Sequence, residues 1–276
     1  MPARTLLHLA QAMSTSADTD YLTFVSNVDR WSCYRGIGTG DGVAARRIVS
    51  APLAGFASSA GPVGFGCYQP TPQSASVLIR IDLTTLDTEE VSWARGRIGA
   101  VACDAEAKRV VVLELPGSQA DLPRILLNGG DGWAAIASEA VPDISSGLAW
   151  IGPDSVAFET SERLLAVMDL HDGSTRAGIA GSSPAGMFRE AHWYAIVAGK
   201  PVVFAGTQAE EASPASGFTV TARPSSLHAS ADGQVLSWQA PHGPFKIRAF
   251  AQRQFGRRLR IQEADAGLAA VIGPVT

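Results

Sequence analysis

The sequence predicts an all-β fold, and more narrowly a single β-propeller of six four-stranded blades that occupies residues 1–276. The first observation is that helical periodicity is nearly absent, because short runs rich in Val, Ile, Phe, Trp, Tyr and Leu alternate with Gly, Pro, Asp and Ser. The second is a turn motif that returns at a regular interval. The third is the composition, since 46% hydrophobic and 17% charged residues suffice for a large core.

The repeated motif is a small residue, an Asp turn and then an apolar strand. The Asp side chain suits this place because it can hydrogen-bond the backbone of the turn that it opens. Four clear copies are Ala17-Asp18 before residues 21–25, Cys103-Asp104 before 110–113, Pro153-Asp154 before 156–158, and Ala231-Asp232 before 235–238. The intervals between the Asp residues are 86, 50 and 78 residues, which indicate a unit of about 43 residues with two weaker copies in between. The weaker copies are Gly61-Pro62 before residues 63–65 and Glu190-Ala191 before residues 192–197.

Hairpins follow the turns, as the blades of a propeller require. Residues 164–170 and 175–179 flank Asp172-Gly173, and Asp-Gly between two strands is a strong hairpin signal. Residues 77–83 and 89–93 have the same shape, and residues 148–150 are predicted to form an innermost strand. Near the C-terminus, residues 245–250, 259–262 and 268–272 offer one strand more than the last blade needs.

Residues 21–49 resemble a blade of the TolB-like and WD40-like propellers, a type shared with the propeller domains of prolyl-oligopeptidase-type peptidases. The matching features are an apolar strand ending in Ser26, a charged hairpin at Asp29-Arg30, the pair Tyr34-Arg35, a Gly-Asp-Gly turn at 40–42, and Arg46-Arg47. The resemblance implies a propeller fold. Because propellers host enzymes, scaffolds and receptors alike, it implies no particular activity.

Several functions are disfavoured by features that the sequence lacks. No G-x-S-x-G nucleophile elbow occurs and no room is left for a hydrolase domain, so a serine peptidase is not expected. The glycine-rich residues 36–42 are followed by no Lys-Ser/Thr pair, so they predict a turn between outer strands rather than a phosphate loop. The net charge is -4 and the densest basic stretch is only residues 253–260, which predicts the solvated face of a strand; no nucleic-acid or membrane partner is expected.

The cysteines and the N-terminus predict a cytoplasmic protein. Cys33, Cys67 and Cys103 are odd in number and contain no close pair, so we expect small buried hydrophobic residues rather than disulfides. The apolar stretch at residues 6–10 is broken by His8 and is shorter than a secretory signal, so it is predicted to form a strand.

The histidines offer a candidate site in the central channel of the propeller. The five are widely separated, and no H-x-x-x-H, H-E-x-x-H or C-x-x-C spacing is present. The innermost strands of all blades line one channel, however, so distant residues meet there. His228, on a predicted innermost strand at residues 226–230, is the best candidate for a catalytic residue or a metal ligand. His8 is its weaker equivalent in the first blade. No cofactor is predicted, while a channel-bound metal ion is compatible with these two histidines.

Residues 146–150, Ser-Gly-Leu-Ala-Trp, resemble the Asn-Gly-Leu-Ala-Trp segment of calcium-dependent lactonases of the gluconolactonase type. Those enzymes are also six-bladed propellers. Their Asn binds the metal, whereas this chain has Ser146, and their acidic Glu-Gly-Pro segment is absent here. Calcium prefers carboxylate and carbonyl oxygens, of which the predicted innermost strands carry few. The resemblance therefore leaves a lactonase as an alternative.

One rim of the propeller is the predicted binding surface. Most of the six tryptophans fall within strands, where they are expected to pack between blades, but Trp31 follows Arg30 in a predicted hairpin. Exposed aromatic and Arg side chains are common anchors of binding surfaces. Tyr68, Gln69 and His242 are predicted to lie in equivalent hairpins, so all five residues should share the rim.

Three functions remain open from the sequence. The favoured one is a stand-alone propeller that acts as a binding or scaffold module for a protein or peptide partner on the rim. The second is a small-molecule enzyme, of lactonase or lyase type, with a site at the channel mouth and with or without a metal ion. The third is a carbohydrate-binding propeller. The first predicts an apolar rim, whereas the second predicts convergent polar side chains at the channel.

Overall fold

The computed structural model of the protein describes residues 53–214, with gaps at 60–62, 72, 83–86, 94–95, 119, 188–191, 210 and 212, and the strands that lie before and after this range. Most side chains are described within residues 57–209. The described residues form strands and turns and contain no helix, which confirms the all-β prediction. It follows that this part of the chain holds no helix of the length and apolarity needed to span a membrane.

The strands fall into six groups, which we call sheets I to VI, and a final hairpin. Sheet I contains β1 (Leu9–Ala12), β2 (Thr15–Ser16), β3 (Thr19–Ser26), β4 (Ser32–Thr39) and β5 (Gly42–Arg47). Sheet II contains β6 (Leu53–Ser58), β7 (Val63–Tyr68), β8 (Val77–Asp82) and β9 (Thr88–Val91). Sheet III contains β10 (Arg97–Cys103), β11 (Val110–Leu115), β12 (Arg124–Asn128) and β13 (Trp133–Ala135).

The second half of the chain continues the same pattern. Sheet IV contains β14 (Leu148–Gly152), β15 (Ser155–Glu159), β16 (Leu164–Asp169) and β17 (Thr175–Ala180). Sheet V contains β18 (Ser182–Met187), β19 (His192–Val197), β20 (Lys200–Ala205) and β21 (Ser213–Pro214). Sheet VI contains β22 (Ser226–Ala229), β23 (Val235–Gln239) and β24 (Phe245–Ala249), and the final hairpin is β25 (Arg257–Ala264) with β26 (Gly267–Pro274).

The first strands of the six sheets form a ring. Each contacts the first strand of the next sheet, in the order β1, β6, β10, β14, β18 and β22, and β22 contacts β1 in turn. A parallel pair between Trp150 and Met187 joins β14 to β18 and merges sheets IV and V. The final hairpin lies against β24, and β26 also contacts β4 and β5. This is the arrangement that the predicted propeller requires, while the count of six four-stranded blades stays a prediction.

The middle sheets bury both faces, each against a different neighbour. In β11, Val111 and Leu113 belong to the core between sheets III and IV, whereas Val110 and Val112 belong to the core between sheets II and III. Strands β14, β15 and β16 divide their residues in the same way between the cores on either side of sheet IV. Successive residues of a strand point to opposite faces. The sequences of these strands are therefore continuous apolar runs and do not alternate between apolar and polar residues.

The Asp turns behave differently at the two places where the structure describes them. At Asp104 the prediction is confirmed, because Oδ1 accepts a hydrogen bond of 2.8 Å from the backbone N–H of Lys108. At Asp154 it is wrong, since Oδ1 accepts from Arg109 Nη1 at 2.5 Å, and Arg109 belongs to the neighbouring sheet. Arg109 Nε also lies 3.3 Å from Asp104 Oδ2, so this arginine connects the turn of Asp104 to the turn of Asp154.

The remaining copies of the motif lie outside the described residues. These are Asp18, Asp232, Gly61-Pro62 and Glu190-Ala191. The strands that flank the two weaker copies pair antiparallel, β6 with β7 and β18 with β19. The strands on which the predicted repeat depends are therefore present at both places.

The predicted hairpin of sheet IV is confirmed. Strands β16 and β17 pair antiparallel, and Gly173 in their loop has a φ of 77°, a left-handed conformation that favours glycine. The N–H of Gly173 donates to the carbonyl of Asp169 at 2.9 Å, and the N–H of Ser174 donates to Asp172 Oδ1 at 2.8 Å.

The described residues of the glycine-rich segment 36–42 lie in strands, which corrects the sequence prediction of a turn. Residues 36–39 belong to β4 and pair with β5, so that Gly36 faces Ala45 and Thr39 faces Gly42. The β-branched Ile37 and Thr39 favour a strand, and pairing with β5 outweighs the low strand preference of the intervening glycines.

The described cysteines and tryptophans take the roles that the sequence predicts. Cys67 and Cys103 are buried side chains, 0% and 2% exposed, and burial raises the pKa of the Cys103 thiol. Trp93 and Trp133 meet edge to face at 4.9 Å between centroids and so connect sheets II and III. Trp150 is fully buried between sheets III and IV.

Candidate functional site

The loops of each sheet lie at two opposite ends, because consecutive antiparallel strands reverse direction. One end holds the loops between second and third strands and the connections that lead to the next sheet; we call it the loop end. The other holds the remaining turns, including those of Asp104 and Asp172; we call it the Asp-turn end.

A cleft of about 770 Å³ lies at sheet III, where the chain passes on to sheet IV. One wall is the loop of residues 116–123, which connects the second and third strands of sheet III. The other wall is residues 136–142, from the connection between sheets III and IV. Both walls begin at the loop end, and the second wall also reaches the turn of Asp172 in sheet IV. A cleft of this size is within the range of ligand-binding sites.

The loop wall is held in place by its own hydrogen bonds. Asp121 Oδ2 accepts from the N–H of Ser118 at 3.1 Å and from its hydroxyl at 2.9 Å. Pro116 and Pro123 stand at the two ends of the loop and restrict its backbone. The wall therefore has little conformational freedom to lose when something binds.

The connection wall is anchored to sheet IV. The hydroxyl of Ser138 lies 2.8 Å from that of Thr175 and donates to the carbonyl of Ala140 at 3.0 Å. The N–H of Ser161 donates to the carbonyl of Val141 at 2.8 Å, and Pro142 pairs with Thr160. Sheet IV thus fixes the wall along most of its length.

Two large apolar side chains stand out from the surface beside the cleft. Leu122 is 62% exposed and Ile144 is 61% exposed, the highest values for large apolar residues within the described part of the chain. Leu122 lines the cleft. The backbone of Ile144 lies close to Leu115, a residue that lines the cleft. Both are neighbours of Gly99: a Cβ placed there would be 3.5 Å from the Ile144 carbonyl oxygen and 2.8 Å from the Leu115 side chain. Leu122 therefore offers exposed apolar surface to a group that enters the cleft.

The lining of the cleft contains an ion pair between the buried Glu114 and the exposed Arg124. Glu114 is 7% exposed, and its Oε2 accepts from Arg124 Nη2 at 2.5 Å and from Nε at 3.1 Å. Sheet IV repeats this arrangement, because the buried Glu159 accepts from Arg163 Nη1 at 2.6 Å. In each sheet the Glu lies near the end of the second strand and the Arg at the start of the third.

Asp143, next to the connection wall, is a carboxylate stabilised by its neighbours. Burial disfavours its charged form, but hydrogen bonds from Ser145 and the positive charge of Arg163, at 3.7 Å, outweigh burial and lower the pKa of Asp143. The charged form therefore helps to hold the connection between sheets III and IV.

Replacing Asp143 by Asn is expected to reduce the free energy of unfolding by about 1 kcal/mol at pH 7. A carboxylate whose pKa is lowered by folding stabilises the protein above its unfolded pKa and loses that contribution as the pH falls through the folded pKa. The difference between wild type and Asp143→Asn should therefore shrink as the pH falls below about 4. Urea unfolding across this pH range measures it. Asp131→Asn, at an exposed carboxylate of the Asp-turn end, is the control, and an unchanged difference at low pH would contradict the assignment.

The predicted rim residues belong to loop-end segments as far as the structure describes them. Tyr68 ends β7 and is half-buried, and Gln69 Nε2 donates to the carbonyl of Ser74 at 2.8 Å, which closes the loop between β7 and β8. Arg30, Trp31 and His242 lie outside the described residues. The strands around them, β3 with β4 and β23 with β24, are the second and third strands of their sheets. Their role in binding stays a prediction.

The predicted channel residues are described only in part. His228 lies in β22, the first strand of sheet VI, opposite Ser237, whereas His8 lies outside the described residues. Ser146 is 3% exposed, donates to the carbonyl of Gly147 at 2.6 Å and accepts from the N–H of Glu159 at 2.8 Å, so its hydroxyl has a structural role. Within the residues that the structure describes, no three His, Cys, Asp or Glu side chains come together as a metal site.

The cleft itself was not predicted from the sequence. Its loop wall contains Gly, Ser, Ala and Pro, which are typical of a plain connection, and its second wall begins some 12 residues further along the chain. The available signal was Leu122, a large apolar residue between Asp121 and Pro123 in a segment that is otherwise polar or small.

No protein-family model matches the chain, and no curated protein matches its sequence. Solved structures do match. The Cps50 (Swd1) β-propeller domain of Myceliophteria thermophila aligns with a TM-score of 0.55 and 11% identity over 89% of this chain and 84% of that one. TolB from Acinetobacter baumannii aligns with a TM-score of 0.58 and 13% identity over 80% of this chain and 58% of that one.

A third match is YCF48, solved bound to D1 peptide, with a TM-score of 0.53 and 10% identity over 98% of this chain and 82% of that one. At these identities the likeness concerns the fold alone. The chain has a β-propeller fold like that of these structures, as its turn motif and apolar runs predict.

Proposed function

We propose that this propeller is a binding module that holds a segment of a partner protein in the cleft at its loop end. The observation that carries the proposal is the position of Leu122, which is 62% exposed on the rim of a cleft of about 770 Å³. Leaving a Leu in water forgoes roughly 1.5–3 kcal/mol of burial, which a partner's apolar side chain recovers by covering it.

The cleft suits a peptide segment for two further reasons. Its walls are fixed by the Ser118–Asp121 and Ser138–Thr175 hydrogen bonds, so binding costs little ordering of the protein. Its lining combines many Pro, Ala, Leu, Ile and Val residues with the polar Glu114, Asp121, Arg124 and Ser138, so both the side chains and the backbone of a peptide find partners there. That a propeller of this fold, YCF48, was solved with a peptide bound is consistent with such a use.

Selection from a phage-displayed library of random 12-residue peptides tests the proposal. The full chain is immobilised, and enriched peptides are synthesised with a fluorescent label and titrated by anisotropy. Leu122→Asp is expected to weaken the selected peptides by about tenfold or more, because it places a charge where an apolar side chain should pack. Ile144→Asp should weaken them as well.

The control is Glu106→Gln, an equally exposed position in the Asp104 turn at the opposite end. It should leave the dissociation constants unchanged. Circular dichroism and thermal unfolding confirm that each variant is folded, and exposed substitutions of this kind usually change stability by less than about 0.5 kcal/mol. Peptides that bind Leu122→Asp and Ile144→Asp as tightly as the wild type would overturn the proposal.

A further inference from the structure

Arg124 lines the cleft with part of its guanidinium group unused. Its Nε and Nη2 both donate to Glu114 Oε2, at 3.1 Å and 2.5 Å, so the buried carboxylate fixes the plane of the guanidinium. Within the part of the chain that the structure describes, Arg124 Nη1 has no hydrogen-bond partner, and the side chain is 56% exposed. A guanidinium carries five N–H donors, so the two of Nη1 are available to a ligand.

Sheet IV shows how this fold completes such an arginine. Arg163 Nη1 donates to the buried Glu159 at 2.6 Å, and Arg163 Nη2 lies 3.7 Å from Oδ2 of a second carboxylate, Asp143. Asp143 belongs to the segment that precedes β14, the first strand of the sheet. The fold therefore accommodates one arginine between two carboxylates, the first buried beneath it and the second supplied by a neighbouring segment.

Sheet III lacks the second carboxylate. The segment that precedes β10, residues 92–96, has the sequence Ser-Trp-Ala-Arg-Gly and contains no acidic residue. Gly96 lines the cleft beside the ion pair, because its backbone N is 3.5 Å from Glu114 Oε1. Asp121, which also lines the cleft, accepts from the N–H and the hydroxyl of Ser118. Where Arg163 has Asp143, Arg124 therefore has the open cleft.

We infer that the segment held in the cleft is an extended peptide in which an Asp or Glu side chain binds Arg124 and a nearby large apolar residue packs on Leu122. This inference rests on the proposed function and specifies its partner. Leu122 and Arg124 are two positions apart, so the two peptide residues are expected within two positions of each other. An arginine already held by Glu114 loses little freedom on binding, and its planar fork matches a carboxylate.

The peptide selection described above tests the inference. Enriched peptides should contain Asp or Glu within two positions of their large apolar residue more often than the unselected library does. The peptides are synthesised with an amidated C-terminus, so that only side-chain carboxylates are measured. Replacing the acidic residue by Asn or Gln should raise the dissociation constant about tenfold, because it removes a charge-assisted hydrogen bond.

Arg124→Gln connects this effect to one residue of the protein. The variant should weaken the acidic peptides about tenfold and should bind the acidic and amide peptides equally. Arg109→Gln is the matched control, since Arg109 also pairs with carboxylates, Asp104 and Asp154, but at the Asp-turn end. It should change each dissociation constant less than twofold. Thermal unfolding checks the fold of both variants, and the comparison of acidic with amide peptides on the wild-type chain requires neither.

The outcomes separate this inference from the proposed function. If Leu122→Asp weakens the selected peptides while they show no excess of acidic residues, or while acidic and amide peptides bind the wild type equally, the carboxylate inference is wrong and the binding function stands. The same holds if folded Arg124→Gln still prefers the acidic peptides. If neither Leu122→Asp nor Ile144→Asp weakens binding, both proposals are wrong.

Discussion

Replacing Gly173 by Ala is expected to reduce the free energy of unfolding by about 3 kcal/mol, a large effect for a single methyl group. Two causes add. The φ of 77° at Gly173 is left-handed, which costs an L-residue about 1–2 kcal/mol. A Cβ at this position would also overlap the carbonyl oxygen of Ala137, so the hairpin and the connection wall must separate. Overpacking of this kind costs about 1–3 kcal/mol.

Gly206 provides the matched control, because it has a φ of 66° and a Cβ there would meet nothing within 4 Å. Gly206→Ala should therefore show the conformational cost alone, about 1 kcal/mol. Urea unfolding monitored by tryptophan fluorescence compares the two variants. Equal losses at Gly173 and Gly206 would show that the close approach to Ala137 is absent in solution. Since Ala137 lines the cleft, Gly173→Ala should also weaken any selected peptide.

Replacing Trp150 by Ala is expected to cost about 4 kcal/mol, the largest loss we predict for a single side chain. The ring is 1% exposed and packs in the core between sheets III and IV. It also lies under Arg109, whose guanidinium carbon is 5.0 Å from the ring centroid. Removing the ring leaves a cavity in this core. It also removes the cation–π contact with Arg109, the residue that connects Asp104 to Asp154.

Trp133→Ala makes the same chemical change at a half-buried site and serves as the control. Its indole donates to the carbonyl of Ser92 at 2.8 Å and its ring meets Trp93, so its removal should cost roughly half as much. Thermal and urea unfolding measure both. A loss below about 2 kcal/mol for Trp150→Ala would mean that sheets III and IV are held together mainly by other contacts.

The fold was predictable because its repeated turns depend on residues that act on their immediate neighbours in the chain. Asp104 closes its own turn and Gly173 provides a left-handed φ, and both effects depend only on neighbouring residues. The continuous apolar run at 110–113 reflects burial on both faces of β11. The bond of Asp154 to Arg109 could not be predicted, since its partner lies 45 residues away in another sheet.

The sequence indicated the end of the propeller at which the candidate site lies, but not the cleft itself. Tyr68 and Gln69 indicated the loops between second and third strands, and the cleft lies among segments of that same end. The cleft itself results from two chain segments of ordinary composition that tertiary packing brings together. Hydrogen bonds such as that between Ser138 and Thr175 fix its shape, and residues 37 positions apart leave no local pattern in the sequence.

The division of each strand between two cores affects how the sequence can change over evolutionary time. Val111 and Val112 are neighbours in the chain, yet Val111 belongs to the core that contains Val156, and Val112 belongs to the core that contains Leu78. A loss of volume at one of them is best compensated in the adjacent sheet, some 35 to 45 residues away, and not at the next position. Covarying positions in this propeller should therefore be separated by about one repeat length. Substitutions in one interface between sheets should be independent of substitutions in the next interface.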